Sequence, residues 1–207
     1  MLISIITVTY NDVQGLERTI KSVQEQTATN YEHILIDGGS TDGSRALIEQ
    51  HQDRFSYWSS EPDNGIYHAM NKGIAVARGD YLLFLNGGDT LCSEVVLTNV
   101  SLKIKQNIDI YYGDVIRIYE NNKKVKKTYP KKLKFSFFID SALAHQSVFI
   151  KKELFARYFY YNEKLHVLSD WEFLIYCICK ENVSYEHLDL FVSNYDMNGL
   201  SSSEEGK

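Results

Sequence analysis

Three cysteines in 207 residues, Cys92, Cys177 and Cys179, are too few and odd in number for a disulfide framework. The Cys177–Cys179 pair lies in an apolar run, and no further Cys or His stands at zinc-ligand spacing. The thiols therefore read as reduced side chains that pack as small hydrophobes. No apolar run reaches the roughly 18 residues that a membrane-spanning helix requires. The opening segment, MLISIITVTYN, lacks a basic leader and a small-residue cleavage site. It reads as a strand and not a signal peptide, and the protein is expected to be soluble and cytoplasmic. Positive charge is not in excess: 22 Lys and Arg against 27 Asp and Glu give −5, which argues against a dedicated nucleic-acid binder. Also missing are a G-x-x-x-x-G-K-[ST] loop, a G-x-G-x-x-G turn after the first strand and a G-x-S-x-G elbow.

What is present is an ordinary globular chain, 44% hydrophobic, with an aromatic excess of 15 Tyr and 10 Phe. That content excludes disorder for most of the chain and suffices for a full core. No repeat, low-complexity tract or linker divides it, so a single domain over 1–207 is expected. The first 114 residues alternate strand and helix signals. Leu2–Thr9 is an unbroken β-branched and apolar run, the mark of a strand buried on both faces. Asp12 can cap a helix carrying Leu16, Ile20 and Val23. Further strands are expected at Tyr31–Ile36, Phe55–Trp58, Tyr81–Leu85 and Ile108–Tyr112, with helices around Ala46–Ile48, over Asn64–Ala77 and over Val95–Ile104. Ala69, Gly73 and Ala77, four apart, would let their helix lie close against a sheet. This order predicts an α/β fold with a mostly parallel central sheet flanked by helices. Later, Val115–Tyr129 reads as a hairpin or long loop around Asn121–Asn122. Ser147–Ile150 and Tyr185–Val192 read as strands, Asp170–Cys179 as a helix, and 201–207 as a disordered tail.

In an open α/β sheet, ligands bind beyond the carboxyl ends of the strands. Three polar loops fall there: Thr9-Tyr10-Asn11, Asp37–Ser44 and Asn86-Gly87-Gly88-Asp89. Asp37 can accept hydrogen bonds from a base or ribose, whereas Thr41 and Asp42 read as caps of the next helix. Asp89, framed by glycines, suits a hard divalent cation that also holds phosphate oxygens. By spacing alone, a turn aspartate before the helix from Ser93 fits equally well. His68 and His145 are the two histidines near these loops.

Thr7-Val8-Thr9-Tyr10-Asn11, Asp37-Gly38-Gly39-Ser40-Thr41-Asp42-Gly43, Asp63-Asn64-Gly65-Ile66-Tyr67 with Ala69-Met70-Asn71-Lys72-Gly73, and Arg78-Gly79-Asp80-Tyr81 leading to Leu85-Asn86-Gly87-Gly88-Asp89 resemble family 2 glycosyltransferases, in order and spacing. His145-Gln146-Ser147-Val148-Phe149, Ser169-Asp170-Trp171-Glu172-Phe173 and Asp196–Ser201 resemble later segments of members that build bacterial surface polysaccharides. The resemblance implies a GT-A fold with a Rossmann-like nucleotide-binding half (1–114) and an acceptor half (115–200). It also implies inverting transfer from a nucleoside-diphosphate-sugar donor to a glycan or lipid-linked acceptor. Val8, Thr9, Tyr10, Asn11, Asp37, Gly65, Asn71, Asn86, Gly87 and Gly88 would then contact the donor. Asp89 would hold Mn²⁺ or Mg²⁺, and Asp170 would be the general base. The chain departs from the family pattern at Asn86 and Gly88, where many members carry aspartates, at Gly38, and at His68.

Lys123, Lys124, Lys126, Lys127, Lys131, Lys132 and Lys134 crowd one region, followed by Phe135, Phe137 and Phe138. The plainer reading is a solvated hairpin edge; the functional one is peripheral contact with the inner face of a membrane. The alternative to an enzyme is a non-catalytic nucleotide-sugar-binding subunit.

Overall fold

The computed structural model describes residues 1–105 and 107–197. The expected tail 201–207 and the Asn198–Ser201 part of the last motif lie outside the described residues. β1 (Ile3–Thr9) is buried along its whole length, as its unbroken apolar run requires. Asp12 caps α1 (Val13–Gln24), its Oδ1 accepting the Gly15 N–H at 2.9 Å, and Leu16, Ile20 and Val23 turn inward. β2 (Tyr31–Asp37), α2 (Ser44–Gln50), β3 (Tyr57–Ser60), α3 (Ile66–Val76) and β4 (Tyr81–Phe84) follow. After these come β5 (Thr90–Leu91), α4 (Val96–Lys103), β6 (Ile110–Ile118), β7 (Lys124–Lys127) and α5 (Phe135–Asp140). The last elements are β8 (Val148–Lys151), α6 (Glu153–Arg157), α7 (Ser169–Ile175) and β9 (Tyr185–Asp196).

The strands form one sheet in the order β3-β2-β1-β4-β8-β6-β9-β5, with β7 paired to β6. β3, β2, β1 and β4 are parallel, with Thr9 beside Asp37 at the register's end. β8 runs antiparallel between β4 and β6, β9 runs parallel to β6, and β5 and β7 add antiparallel edges. The two-residue side-chain period divides the core. Ile6, Val8, Ile34, Ile36, Leu82 and Phe84 face one layer with Met70 and Ile74 of α3. Ile3, Ile5, Tyr81, Leu83 and Tyr111 face the other, with Leu97 and Val100 of α4. The three thiols are free, and burial pushes Cys92 and Cys177 each up to about 12.

Several boundaries differ from the sequence reading. The third strand is Tyr57–Ser60 and not Phe55–Trp58, because Phe55 ends a 3₁₀ turn and sets its ring 5.2 Å from His33. Strand β6 runs on to Ile118 and makes a true hairpin with β7 around Asn121–Asn122, and Asn122 takes φ 57°. The helix from Ser169 gives way after Ile175 to a wider π turn over Tyr176–Lys180, so Phe173, Leu174, Cys177 and Ile178 are its buried apolar residues. The last strand extends four residues past Val192 to Asp196.

The small-residue stripe does what its spacing predicts. A Cβ at Gly73 would meet Ile6 Cγ2 at 2.4 Å, and Ile6 is fully buried on the central strand. Gly73→Ala is therefore expected to destabilise the protein, since overpacking costs about 1–3 kcal/mol and helix propensity returns only ~1 kcal/mol. Urea unfolding would read this as a lowered midpoint. An unchanged or raised midpoint would contradict the close helix–sheet contact.

The aromatic excess has a visible use. Phe155 and Phe173 stack at 4.3 Å, and Phe84, Tyr161 and Phe159 pack around them. This cluster seats α7 against the central strands. Leu168, at φ 77°, turns the chain into the helix just before Asp170, and the Ser169 hydroxyl accepts the Asn162 N–H at 2.6 Å.

Candidate functional site

The carboxyl ends of β1 and β4 open into a cleft of about 1370 Å³. Val8, Thr9, Tyr10, Asn11, Gly65, Asn86, Gly87, Asp89 and Asp170 all line it. Residues 8 to 170 in sequence are thus brought to one cavity by parallel strands that end together.

Asp170 sits at the first turn of α7, where the helix dipole favours negative charge. Its Oδ1 accepts from the Tyr67 hydroxyl at 2.7 Å, and its Oδ2 accepts from His145 Nδ1–H at 3.0 Å. Burial opposes ionisation, but the His145 hydrogen bond and charge, with Tyr67, outweigh it and hold the carboxyl below the usual range. The reciprocal balance raises His145: burial lowers its pKa, and the bond to Asp170 with the charges of Asp170 and Asp89 more than offsets that. His145 Nε2 meets the Asn86 amide at 3.1 Å, so one imidazole links the α7 carboxylate to the loop after β4.

Asp89 is almost wholly buried, and each of its oxygens is held: Oδ2 by Gln146 Nε2 and Oδ1 by the Asp196 N–H, both at 2.9 Å. Burial nevertheless pushes its pKa up to about 7, with His145 and the two hydrogen bonds pulling the other way. Buried oxygens with no hydrogen-bond partner occur on the same loop and its neighbours: Asn86 Oδ1, Oε1 of the Gln146 amide that holds Asp89, and Thr9 Oγ1 next to Gly87. Among the described residues, no three His, Cys, Asp or Glu side chains gather as a metal cage. Asp89 with neighbouring amide oxygens still fits a hard cation of the kind that takes one or two carboxylates and completes its shell with phosphate oxygens and water.

Three residues expected at the donor do not line the cleft. Asp37 is fully buried beneath it; its carboxylate accepts the Ser40 N–H, the Ser40 hydroxyl and, at 2.6 Å, the Ser60 hydroxyl. It braces the loop that ends β2. Asn71 points away and ties down Tyr161 and Glu163, donating to the Tyr161 carbonyl and Glu163 Oε1 at 2.9 Å each. Gly88 supplies a turn at φ 97° and donates its N–H to Thr19 Oγ1. The N-cap of α2 is Gly43 and not Thr41 or Asp42; Asp42, one residue earlier, braces the turn, its Oδ1 accepting from Ser44 N–H and hydroxyl and its Oδ2 from Val13 N–H. His68 accepts the Asn64 N–H at the start of α3.

Tyr67, Gln146 and Asp63 also line the cleft. Each stands in a segment that carries the family resemblance, but none was given a role there, and their contacts appear only when distant segments meet. Asp63 is instructive, since its Oδ2 lies 2.8 Å from where a Cβ on Gly38 would stand. A carboxylate from the α3 side thus fills the place that Gly38 leaves in the loop after β2. Arg18 also lines the cleft and pairs with Asp196 at 3.1 Å.

Comparison with known proteins agrees with this geometry. The glycosyl transferase family 2 profile matches residues 4–170. An uncharacterized glycosyltransferase of Mycobacterium tuberculosis is 35% identical over 176 residues, 84% of this chain and 67% of that protein. A PGL/p-HBAD biosynthesis glycosyltransferase of Mycobacterium bovis is 31% identical over 98% of this chain and 80% of its own length. Among solved structures, S. aureus TarS 1-349 in complex with UDP-GlcNAc superposes with a TM-score of 0.75 at 18% identity, covering 95% of this chain and 58% of that one. Of the longer TarS chain, this sequence spans 37%. That likeness establishes the GT-A fold expected from the sequence, and the profile match with the mycobacterial relatives means that the chain belongs to glycosyl transferase family 2.

Proposed function

We propose that this chain is an inverting glycosyltransferase that moves a sugar from a nucleoside-diphosphate donor to an acceptor hydroxyl. The observation that carries this reading is Asp170, held ionised by His145 and Tyr67 in the same cleft as the β1 and β4 loops. Val8, Thr9, Tyr10 and Asn11, with Asp63 and Gly38, bind the nucleoside. Tyr10, 63% exposed, offers a ring face to the base. Asp170 accepts the proton of the acceptor hydroxyl as that oxygen attacks the anomeric carbon. The bond from that carbon to the diphosphate oxygen breaks on the opposite side, which inverts the configuration. His145 and Tyr67 position the carboxylate and keep it charged until it takes the proton. Asp89, with Asn86 and Gln146 beside it, would hold Mn²⁺ or Mg²⁺; when bound, the cation neutralises charge on the leaving diphosphate.

The reading takes residues 1–207 as one domain, with 1–114 serving the donor and 115–200 the acceptor. No helix among the described residues is long and apolar enough to cross a membrane. Phe135 and Ile139, one turn apart on α5, are 61% and 67% exposed next to Lys131, Lys132 and Lys134, and Asp140 at the end of α5 lines the cleft. A glycan or lipid-linked acceptor met at the inner membrane face suits that arrangement. The net charge of −5 offers nothing for nucleic acid. A non-catalytic nucleotide-sugar-binding subunit is the second reading, favoured by the single carboxylate of the Asn86–Asp89 loop.

Thermal melting against UDP-, GDP-, dTDP- and CMP-sugars, each with and without Mn²⁺, tests the donor. UDP-GlcNAc goes first because TarS is seen with it. A ligand at 100 times its Kd stabilises by about 2.7 kcal/mol, so one donor class should raise Tm clearly. A folded protein that responds to no donor would overturn the proposal.

A further inference from the structure

One corner of the cleft carries charge that nothing in the donor or base machinery uses. The hairpin register pairs Val115 with Lys127 and Arg117 with Val125. Arg117 and Lys127 therefore leave the same face as diagonal neighbours, and both are half-buried and line the cleft. Arg117 Nε is buried without a hydrogen-bond partner. None of the ion pairs among the described residues includes either cation. Arg18, the other arginine of the cleft, is by contrast held by Asp196. Lys127 Nζ lies 5.8 Å from the centre of the Tyr129 ring, which steadies the side chain without neutralising it.

Burying the Arg117 Nε–H without an acceptor is unfavourable, and two cations in one corner repel each other. An incoming anion removes both costs, and the planar fork of arginine matches phosphate oxygens two at a time. The corner also adjoins the Asp89 end of the cleft. β9 sets Tyr195 beside Arg117 and Asp196 beside Ile118, and the Asp196 N–H donates to Asp89.

We propose that Arg117 and Lys127 form a phosphate-binding subsite that holds a phosphate or diphosphate group of a substrate during transfer. The group has two possible sources, the diphosphate of the donor or a phosphate on the acceptor. Naming those sources rests on the transferase reading; the phosphate chemistry rests on the two cations.

The test is calorimetric titration of inorganic pyrophosphate in EDTA, which removes any cation at Asp89. Wild type is compared with Arg117→Lys, Lys127→Gln and the double variant Arg117→Gln/Lys127→Gln, each checked by melting. Wild type should bind pyrophosphate, and the double variant should lose about tenfold or more in affinity. Arg117→Lys, which keeps the charge but loses the fork, should fall between wild type and the double variant. If the double variant does not fold, Lys127→Gln on the hairpin edge carries the test with a smaller loss. No binding by wild type up to about 10 mM, or equal affinity in folded variants, overturns the subsite. UDP is titrated into the same proteins to find the source. A parallel loss assigns the donor diphosphate, and intact UDP binding with lost pyrophosphate binding assigns an acceptor phosphate. If wild type binds pyrophosphate through these cations but no UDP, the subsite stands and a UDP donor is overturned.

Discussion

Asp170→Asn is expected to lower turnover by about 10²–10⁴-fold, the usual contribution of a positioned general base, while donor affinity stays within about twofold of wild type. The substitution is close to isosteric, and both neighbours adapt to it. The Tyr67 hydroxyl, 2.7 Å from Oδ1, can donate or accept, and His145, 3.0 Å from Oδ2, can exchange tautomers. The fold should therefore survive, and the loss should fall on kcat. A second readout separates a base from a buried ion pair kept for stability. His145 owes its raised pKa largely to Asp170, so in the variant that pKa should drop, visible in the imidazole titration by NMR. Turnover that persists at wild-type level would remove Asp170 from the mechanism. Wild-type protein that binds donor but shows no turnover with any acceptor would favour the binding-subunit reading.

How much of this was legible beforehand depends on the distance over which each feature is determined. The first strand, the Asp12 cap and the Ala69–Gly73–Ala77 stripe are set by neighbours in sequence, and the structure reproduces them. The convergence of the β1 and β4 loops also follows from parallel strands ending together. Short elements escaped. Thr90–Leu91 is a strand only because Asn194 and Ser193 lie alongside, and Phe135–Asp140 and Glu153–Arg157 are too brief for a helical period to show. Within the site, residue type identified polar loops but not the direction of each side chain. Asp37 turns inward because Ser60, 23 residues later, donates to it, and Asn71 turns away because Tyr161, 90 residues later, needs its amide. The His145 link between Asp170 and Asn86 likewise exists only once three separate segments meet.

Asp89→Asn is the substitution with the largest expected change in metal response. Asp89 is a carboxyl with a raised folded-state pKa of about 7, so the native state binds its proton more tightly than the unfolded chain does. The stability this contributes is complete below the unfolded pKa near 4 and is lost as pH rises through 7. Three pKa units correspond to roughly 4 kcal/mol. The amide mimics the protonated acid: its oxygen can accept the Asp196 N–H, and a turned Gln146, whose Oε1 now lacks a partner, can accept from its nitrogen. The variant should match wild type at pH 4 and exceed it at pH 8 in metal-free buffer, by several degrees in Tm. A bound cation reverses this order, since it favours the ionised acid that burial penalises. Mn²⁺ should raise the wild-type Tm at pH 8 and leave Asp89→Asn unmoved. Activity should fall at least about 10²-fold, as losing a metal's charge stabilisation costs several kcal/mol. Equal Mn²⁺ stabilisation of both proteins would move the cation away from Asp89. A wild-type Tm that follows pH no more steeply than the variant's would mean that Asp89 is already ionised well below neutrality, as a turn residue held by Gln146 and Asp196 alone would be.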